Sequence, residues 1–460
     1  MDKERIFNAL IEKYKQKHKK SEALFEKICR HQIKGGSHNL RFFNPFPFYD
    51  VHCSGSQVTD VDGNTYIDFW QGHFANVLGH NPQIVLDALM KYFKQGQGLI
   101  TGFPGTYQKE LAELILNRIH QDKIRFTTSG TLATMYAIML AKSFTKRDLV
   151  MKIGGGWHGS QPYALKGIST YDHGLNQMES AGLPSGIDSM IIITKFNDIE
   201  NLKERFNEFG ERIACLILEP FVGSGGLIFG NQDYIRKAKE LANEYGVLLI
   251  MDEVISGFRF HAGGLHMLYD IKPDLTVFGK SIGGGMPVSA VTGRDDVMSL
   301  IDPETPAGKM VKFEGGTFSA HPASILAGVT FVKYLIENES EIYPKIGRLG
   351  AKVRKEIEEI FATYGFNVKC TGDGNPICEN SSIVGVHFLK EEIDGIKSPE
   401  EVWNPEISDF ELRENIFKLS MLEQGFNVID GYGAISAAHS NEEIQASLDA
   451  VERIAKKWSK

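Results

Sequence analysis

The chain is poor in cysteine. Its 460 residues hold five, Cys29, Cys53, Cys215, Cys370 and Cys378, an odd and scattered set with no CxxC pair. That spacing argues against a disulfide framework and against a zinc site, and it fits a reducing compartment, so a cytoplasmic location is expected. No uninterrupted apolar run reaches the ~18 residues of a membrane-spanning helix. The first 30 residues are rich in Lys and Glu and lack an apolar core, so no signal peptide is expected. Positive charge is outnumbered as well: 50 Lys and Arg stand against 58 Asp and Glu, a net charge of −8. Such a balance gives no general attraction to nucleic acid or to an anionic membrane. An anionic small substrate would need local positive charge instead. Internal repeats and low-complexity tracts are absent too. What is left, 42% hydrophobic and 23% charged, is the composition of a globular protein, long enough for two or three subdomains.

Ile6, Leu10, Tyr14, Leu24 and Ile28 recur at helical spacing and predict an amphipathic helix over residues 3–30. It reads as an arm packing on the body or on a partner subunit. Asn44-Pro-Phe-Pro47 breaks regular structure, and Asp62-Gly63 marks a hairpin turn between two short strands. From about 105 to 300 the pattern alternates. Strands are predicted at 123–127, 149–153, 190–194, 213–218, 247–251 and 275–278, and helices at 110–120, 131–144, 199–209 and 233–245. The apolar strands and the βαβ rhythm predict an α/β fold, a mostly parallel central sheet with helices on both faces. A small α+β domain is expected from the two ends of the chain. The expected division is 1–70 for the arm and a segment of that small domain, 71–324 for the large domain and 325–460 for the rest of the small one. Within the last part a helix is expected near 324–338, the polar stretch 390–410 reads as an exposed insertion, and Ser440-x-x-Glu443 opens a final helix with a capping box.

Ligands of such sheets sit at the carboxyl ends of the strands. Asp252 and Glu219 fall there. Lys280 follows Asp252 by 28 positions (280 − 252), after the short apolar run 275–278, and Gly279 and Gly283–Gly285 crowd it. A confined lysine and a buried acid at strand ends are what a pyridoxal phosphate enzyme needs. The amine forms the Schiff base with the cofactor aldehyde, and the carboxylate keeps the pyridine nitrogen protonated so that the ring accepts electrons. Arg125-Phe-Thr-Thr-Ser-Gly-Thr131 ends a strand and opens a helix, so the N–H groups of Ser129, Gly130 and Thr131 face an anion such as a phosphate. Taken alone, Ser-Gly-Thr is an ordinary N-cap. Gly154-Gly-Gly-Trp-His-Gly159 matches the dinucleotide fingerprint in form, but Pro162 and Gly167 interrupt the helix that the fingerprint requires. Trp157 there can stack on a flat ring, with His158 positioning it, and a buried structural Trp fits the segment as well. The loop 314–321 contains Thr317, a donor for phosphate.

Together, Ser129-Gly-Thr131, Trp157-His-Gly159, Glu219-Pro220, Asp252-Glu-Val-Ile-Ser-Gly-Phe-Arg259 and Gly279-Lys280 resemble the class III, fold type I pyridoxal phosphate aminotransferases. Gly279–Pro287, Gly315–Ser319 and Ile435–His439 resemble the glutamate-1-semialdehyde aminomutase branch. The resemblance implies Lys280 as Schiff-base lysine and proton shuttle, Asp252 at the pyridinium, Val254 and Trp157 on the two ring faces, and Ser129, Gly130 and Thr131 at the phosphate. His158 and Glu219 join the cofactor-binding set. Thr317 would reach the phosphate of a neighbouring subunit, which implies a homodimer.

Departures from that branch fall on the substrate side. Leu132 replaces the usual Glu, His73 stands where the aminomutases carry a Trp, and Gly431 stands at their active-site Glu. Gly35-Gly36, Arg41 and Pro45-Phe-Pro47 are similar to β-amino acid aminotransferases, which implies Arg41 as a carboxylate clamp; His73 is the other residue expected to bind substrate. The expected reaction is therefore amino transfer from an α- or β-amino acid to a keto acceptor. An intramolecular aminomutase or a racemase is the alternative. A nicotinamide-dependent oxidoreductase rests only on the 154–159 glycines, and a non-enzymatic relative would leave Lys280 unused.

Overall fold

The protein is described by a computed structural model covering residues 2–171, 173–379 and 381–459. The N-terminal arm is two helices rather than one, Lys3–Lys17 and Lys19–Ile28, because His18 leaves helical geometry between them. His18 is anchored to the body. Its Nε2 lies 2.6 Å from the Tyr66 hydroxyl, and its ring stacks on Tyr14. Leu10 and Tyr14 are buried, so the arm packs on its own chain.

Three strands, β1 Asp50–Ser54, β2 Gln57–Asp60 and β3 Thr65–Asp68, form an antiparallel meander. The turn is at the expected Asp62-Gly63, where Gly63 has φ +90°. The central sheet comprises β4 Lys123–Thr127, β5 Leu149–Ile153, β6 Ile191–Thr194 and β7 Ile213–Leu218. After a short hairpin of β8 Phe221–Val222 and β9 Ile228–Phe229, it is completed by β10 Leu248–Glu253, β11 Leu275–Phe278 and β12 Ser289–Gly293. The order is β4-β12-β11-β10-β7-β5-β6. Only β12 runs against its neighbours. β5, β7 and β10 are buried along their whole length. Their unbroken Leu, Ile and Val runs are therefore strands covered on both faces, and each such side chain contributes about 1.5–3 kcal/mol on burial. This is the α/β architecture that the sequence predicts. The helix Gln83–Lys94 and the antiparallel β12 were not predicted.

Beyond the helices Pro322–Glu337 and Glu339–Thr363 come β13 Val368–Thr371 and β14 Ile383–Phe388, then β15 Phe426–Asn427 and β16 Gly433–Ala434. β15 pairs in parallel with β3, so one four-stranded sheet draws on both ends of the chain. The final helix Asn441–Trp458 carries the expected capping box between Ser440 and Glu443.

The stretch 390–410 corrects an expectation: it is not an exposed insertion. It folds a short helix, Pro399–Trp403, whose Pro399 and Val402 are buried. Pro399 sits so close to Gly155 that a Cβ there would lie 2.3 Å from it, and Val402 crowds Gly226 in the same way. Polar composition hid a wedge packed on the strand-end loops.

Candidate active site

The loops after β4, β5, β7, β10 and β11 meet at one edge of the sheet. The strand β10 continues one residue beyond Asp252, which places Asp252 and Glu253 on opposite faces. Asp252 Oδ2 accepts a hydrogen bond from His158 Nδ1–H at 2.8 Å, and Oδ1 accepts the Val254 N–H at 3.1 Å. Burial holds His158 below the ordinary histidine range against the pull of Asp252. The imidazole is thus a neutral donor, and its Nε2 has no partner among the described residues. Glu253 turns away and accepts from the N–H groups of Leu265 and His266 and from His266 Nδ1, which ties down the loop that follows Val254. Sequence reading passed over this residue, although the period of two along a strand is the signal for it.

Val254 is where the parts converge. A Cβ on Gly130 would lie 3.1 Å from one Val254 methyl, and a Cβ on Gly279 would lie 3.2 Å from the other. Both positions are glycine in the sequence, and the start of the helix Gly130–Thr145 and the lysine loop can therefore close on the same side chain. Ser129 caps that helix through the Leu132 N–H, at 3.3 Å. The N–H groups of Gly130 and Thr131 keep no acceptor among the described residues. With the helix dipole behind them they form an anion cradle. Gly159, at φ +83°, backs onto Thr131 so tightly that a Cβ would lie 2.4 Å from its hydroxyl oxygen. Gly159→Ala is therefore expected to weaken cofactor affinity at least tenfold and to cost about 1–3 kcal/mol of stability through backbone strain. Titration with pyridoxal phosphate and thermal melting read both.

Trp157 is partly exposed, with its backbone N–H fixed by Glu219 Oε1 at 2.8 Å, while Oε2 takes the Gly223 N–H at 3.0 Å. Both Glu219 oxygens thus accept backbone donors, so Glu219 holds the shelf loop in place. Burial, then the Asp252 carboxylate, push its carboxyl well above the usual range. Lys280 lies within electrostatic reach of both acids, and burial lowers its amine below the ordinary lysine value. A cation such as a pyridinium beside Asp252 would relieve that excess of acid. Only a 3-10 turn, Pro162–Ala164, follows the 154–159 glycines, in agreement with the rejection of a dinucleotide fingerprint.

The other side of Lys280 is basic. His73 lies in a turn where Gln71, Gly72, His73 and Phe74 all have positive φ, between +48° and +69°. Three of them are not glycine, so this is a strained segment held by its surroundings. The Gln71 N–H and side chain are tied to Asp68, at 2.9 and 2.7 Å. The His73 ring lies 4.9 Å from His38 and 5.0 Å, edge-on, from Trp70. Arg41 is exposed at the end of the 3-10 turn Asn39–Arg41. Burial first, then His38, Lys280 and Arg41, push His73 down to about 4. His38 was missed in the sequence, where one polar residue in a loop carries no signal. Thr317 is exposed beside Phe318, itself 57% exposed, and its side chain makes no hydrogen bond among the described residues.

The residues present fit pyridoxal phosphate: an acid for the ring nitrogen, a lysine for the aldehyde and free amides for the phosphate, all around Val254. Comparison with known proteins points the same way. Residues 44–378 match the model of the family described as aminotransferase class-III. A glutamate-1-semialdehyde 2,1-aminomutase of Methanosphaera stadtmanae is 33% identical over 437 residues, which span 94% of this chain and 97% of that protein. Among solved structures, a β-phenylalanine aminotransferase from Variovorax paradoxus superposes with a TM-score of 0.85 at 25% identity, covering 99% of this chain and 98% of its own. A transaminase with pyridoxal phosphate bound gives 0.82 at 27%, covering 95% and 97%.

Proposed function

The chain belongs to the class III aminotransferases, and on that premise we propose that it moves the amino group of a small amino acid, with Lys280 as the proton-transferring base. The observation that carries this is the meeting of Lys280, Asp252 and the Gly130–Thr131 cradle around Val254. Pyridoxal phosphate, when bound, supplies the carbonyl that captures the substrate amine and the sink for electrons released at the substrate α-carbon. The protein supplies the rest. The amides of Gly130 and Thr131 anchor the phosphate. Asp252, oriented by His158, holds the proton on the ring nitrogen. Val254 and Trp157 confine the ring from its two faces. Lys280, its basicity lowered by burial, takes the α-proton and returns it at a different atom. Glu219 keeps the Trp157 loop from shifting. In an assembled homodimer Thr317 completes the phosphate site of the second copy.

Intramolecular transfer of the 2,1-aminomutase type has the support of the curated relatives' names and stands first. Intermolecular aminotransfer, the expectation drawn from the sequence, is supported by one observation. Gly431 aligns with the active-site glutamate of that branch, yet it has φ +85°, and a Cβ there would lie 2.6 Å from the Val386 carbonyl oxygen. The backbone as folded leaves no room for that side chain. Gly431→Glu is accordingly expected not to gain mutase activity but to lose about 1–3 kcal/mol or more of stability, read by thermal unfolding.

Titrating the holoenzyme with α- and β-amino acids separates the two readings. A lasting change in the visible cofactor band with release of a keto acid indicates intermolecular transfer. A retained band with an accumulating isomer indicates the mutase. No response to any amine would overturn both.

A further inference from the structure

His38, to which the sequence assigns nothing, faces His73 in a turn that packs against the one headed by Lys280. Their rings are 4.9 Å apart. His38 Nδ1 accepts the Leu40 N–H at 3.3 Å, which leaves the proton of the neutral ring on Nε2. His38 is thereby locked as an N–H donor. His73 carries one N–H in either neutral tautomer, and its left-handed turn and Trp70 fix where the ring sits. The groups that act on His38 are Arg41 and Lys280, and those that act on His73 are His38, Lys280 and Arg41. No carboxylate bears on either ring among the described residues. Asp252 and Glu219 thus act on Lys280, while the charged groups that act on the two imidazoles among the described residues are basic.

A substrate with one carboxylate needs one clamp, and Arg41 is enough for it. Among the described residues neither imidazole N–H meets a carboxylate acceptor. We propose that His38, paired with His73, is a specificity-determining residue that receives a second carboxylate, so that the preferred amino substrate is an acidic, dicarboxylic amino acid. The inference rests on the amino-transfer reading for the reaction, and not for the binding subsite.

Two matched five-carbon pairs test it. On the holoenzyme, calorimetry should find glutarate bound at least tenfold more tightly than valerate, the size of one hydrogen bond to a charged group. Glutamate should likewise convert the visible cofactor band with a KM at least tenfold below that of norvaline. His38→Leu should reduce the glutarate-to-valerate ratio about tenfold, and His38→Gln, which keeps an N–H donor, should recover most of it. Equal binding of the two acids by the wild-type protein would overturn the proposal without any variant. So would an undiminished ratio in His38→Leu, or a loss that His38→Gln does not recover. If neither amino acid alters the band while glutarate is still selected, the amino-transfer reading fails and the subsite stands.

Discussion

Lys280→Ala lowers turnover by on the order of 10⁴-fold, while the protein still takes up pyridoxal phosphate. The first half of this expectation follows from what the amine alone does. Lys280 lies within reach of both buried acids at this edge of the sheet, and a positioned general base contributes roughly 10²–10⁴-fold. Losing the covalent anchor adds to that cost. The second half follows from the independence of the other contacts. The amides of Gly130 and Thr131 stay free for an anion, and Asp252 and His158 remain hydrogen-bonded to each other. Lys280 also ties no other part of the fold together: it lies at φ +46° at the head of a 3-10 turn, and its amine makes no hydrogen bond or ion pair among the described residues. Alanine there leaves the fold alone. Steady-state rates together with equilibrium dialysis of the cofactor check both halves, and a variant with near wild-type turnover would remove Lys280 from its role.

Asp252→Asn costs roughly 10³-fold in rate, the scale of losing a preorganised electrostatic partner. The substitution is nearly isosteric, so geometry survives. An asparagine oxygen still accepts from His158 Nδ1–H, as Oδ2 does at 2.8 Å. That bond commits the amide's NH₂ group to the Oδ1 position, where the Val254 N–H loses the acceptor it has at 3.1 Å and the ring nitrogen meets a donor. Two donors cannot share one lone pair, so the nitrogen loses its proton and the ring its capacity to draw electrons. Unfolding temperature within a few degrees of wild type, with the rate lost, separates this from misfolding. Kinetics within threefold of wild type would contradict the assignment.

The cofactor side of the site was legible in the sequence because it is built by rules that act locally. β-Branched apolar runs gave strands at 123–127, 149–153, 213–218 and 275–278, each at the residues observed. Chemistry at their carboxyl ends then follows from topology. Glycines 130, 159 and 279 could be marked, but what each glycine makes room for, Val254 or Thr131, depends on contacts 25 or more positions away. The substrate side was less legible. The turn at 71–74 puts Gln71, His73 and Phe74 in conformations that their own preferences oppose. His38 acquires meaning only when His73 is folded against it, 35 positions on (73 − 38). The 390–410 stretch misled because its polar residues outnumber the apolar ones that do the packing, Ile396, Pro399, Val402, Trp403 and Phe410.

The most direct test is to load the protein with pyridoxal phosphate, reduce it with borohydride and map the pyridoxyl-lysine by peptide mass. The account predicts a single labelled peptide, the one that contains Lys280, and its disappearance in Lys280→Ala. Labelling of another lysine, or none at all in a protein that has bound the cofactor, would contradict it.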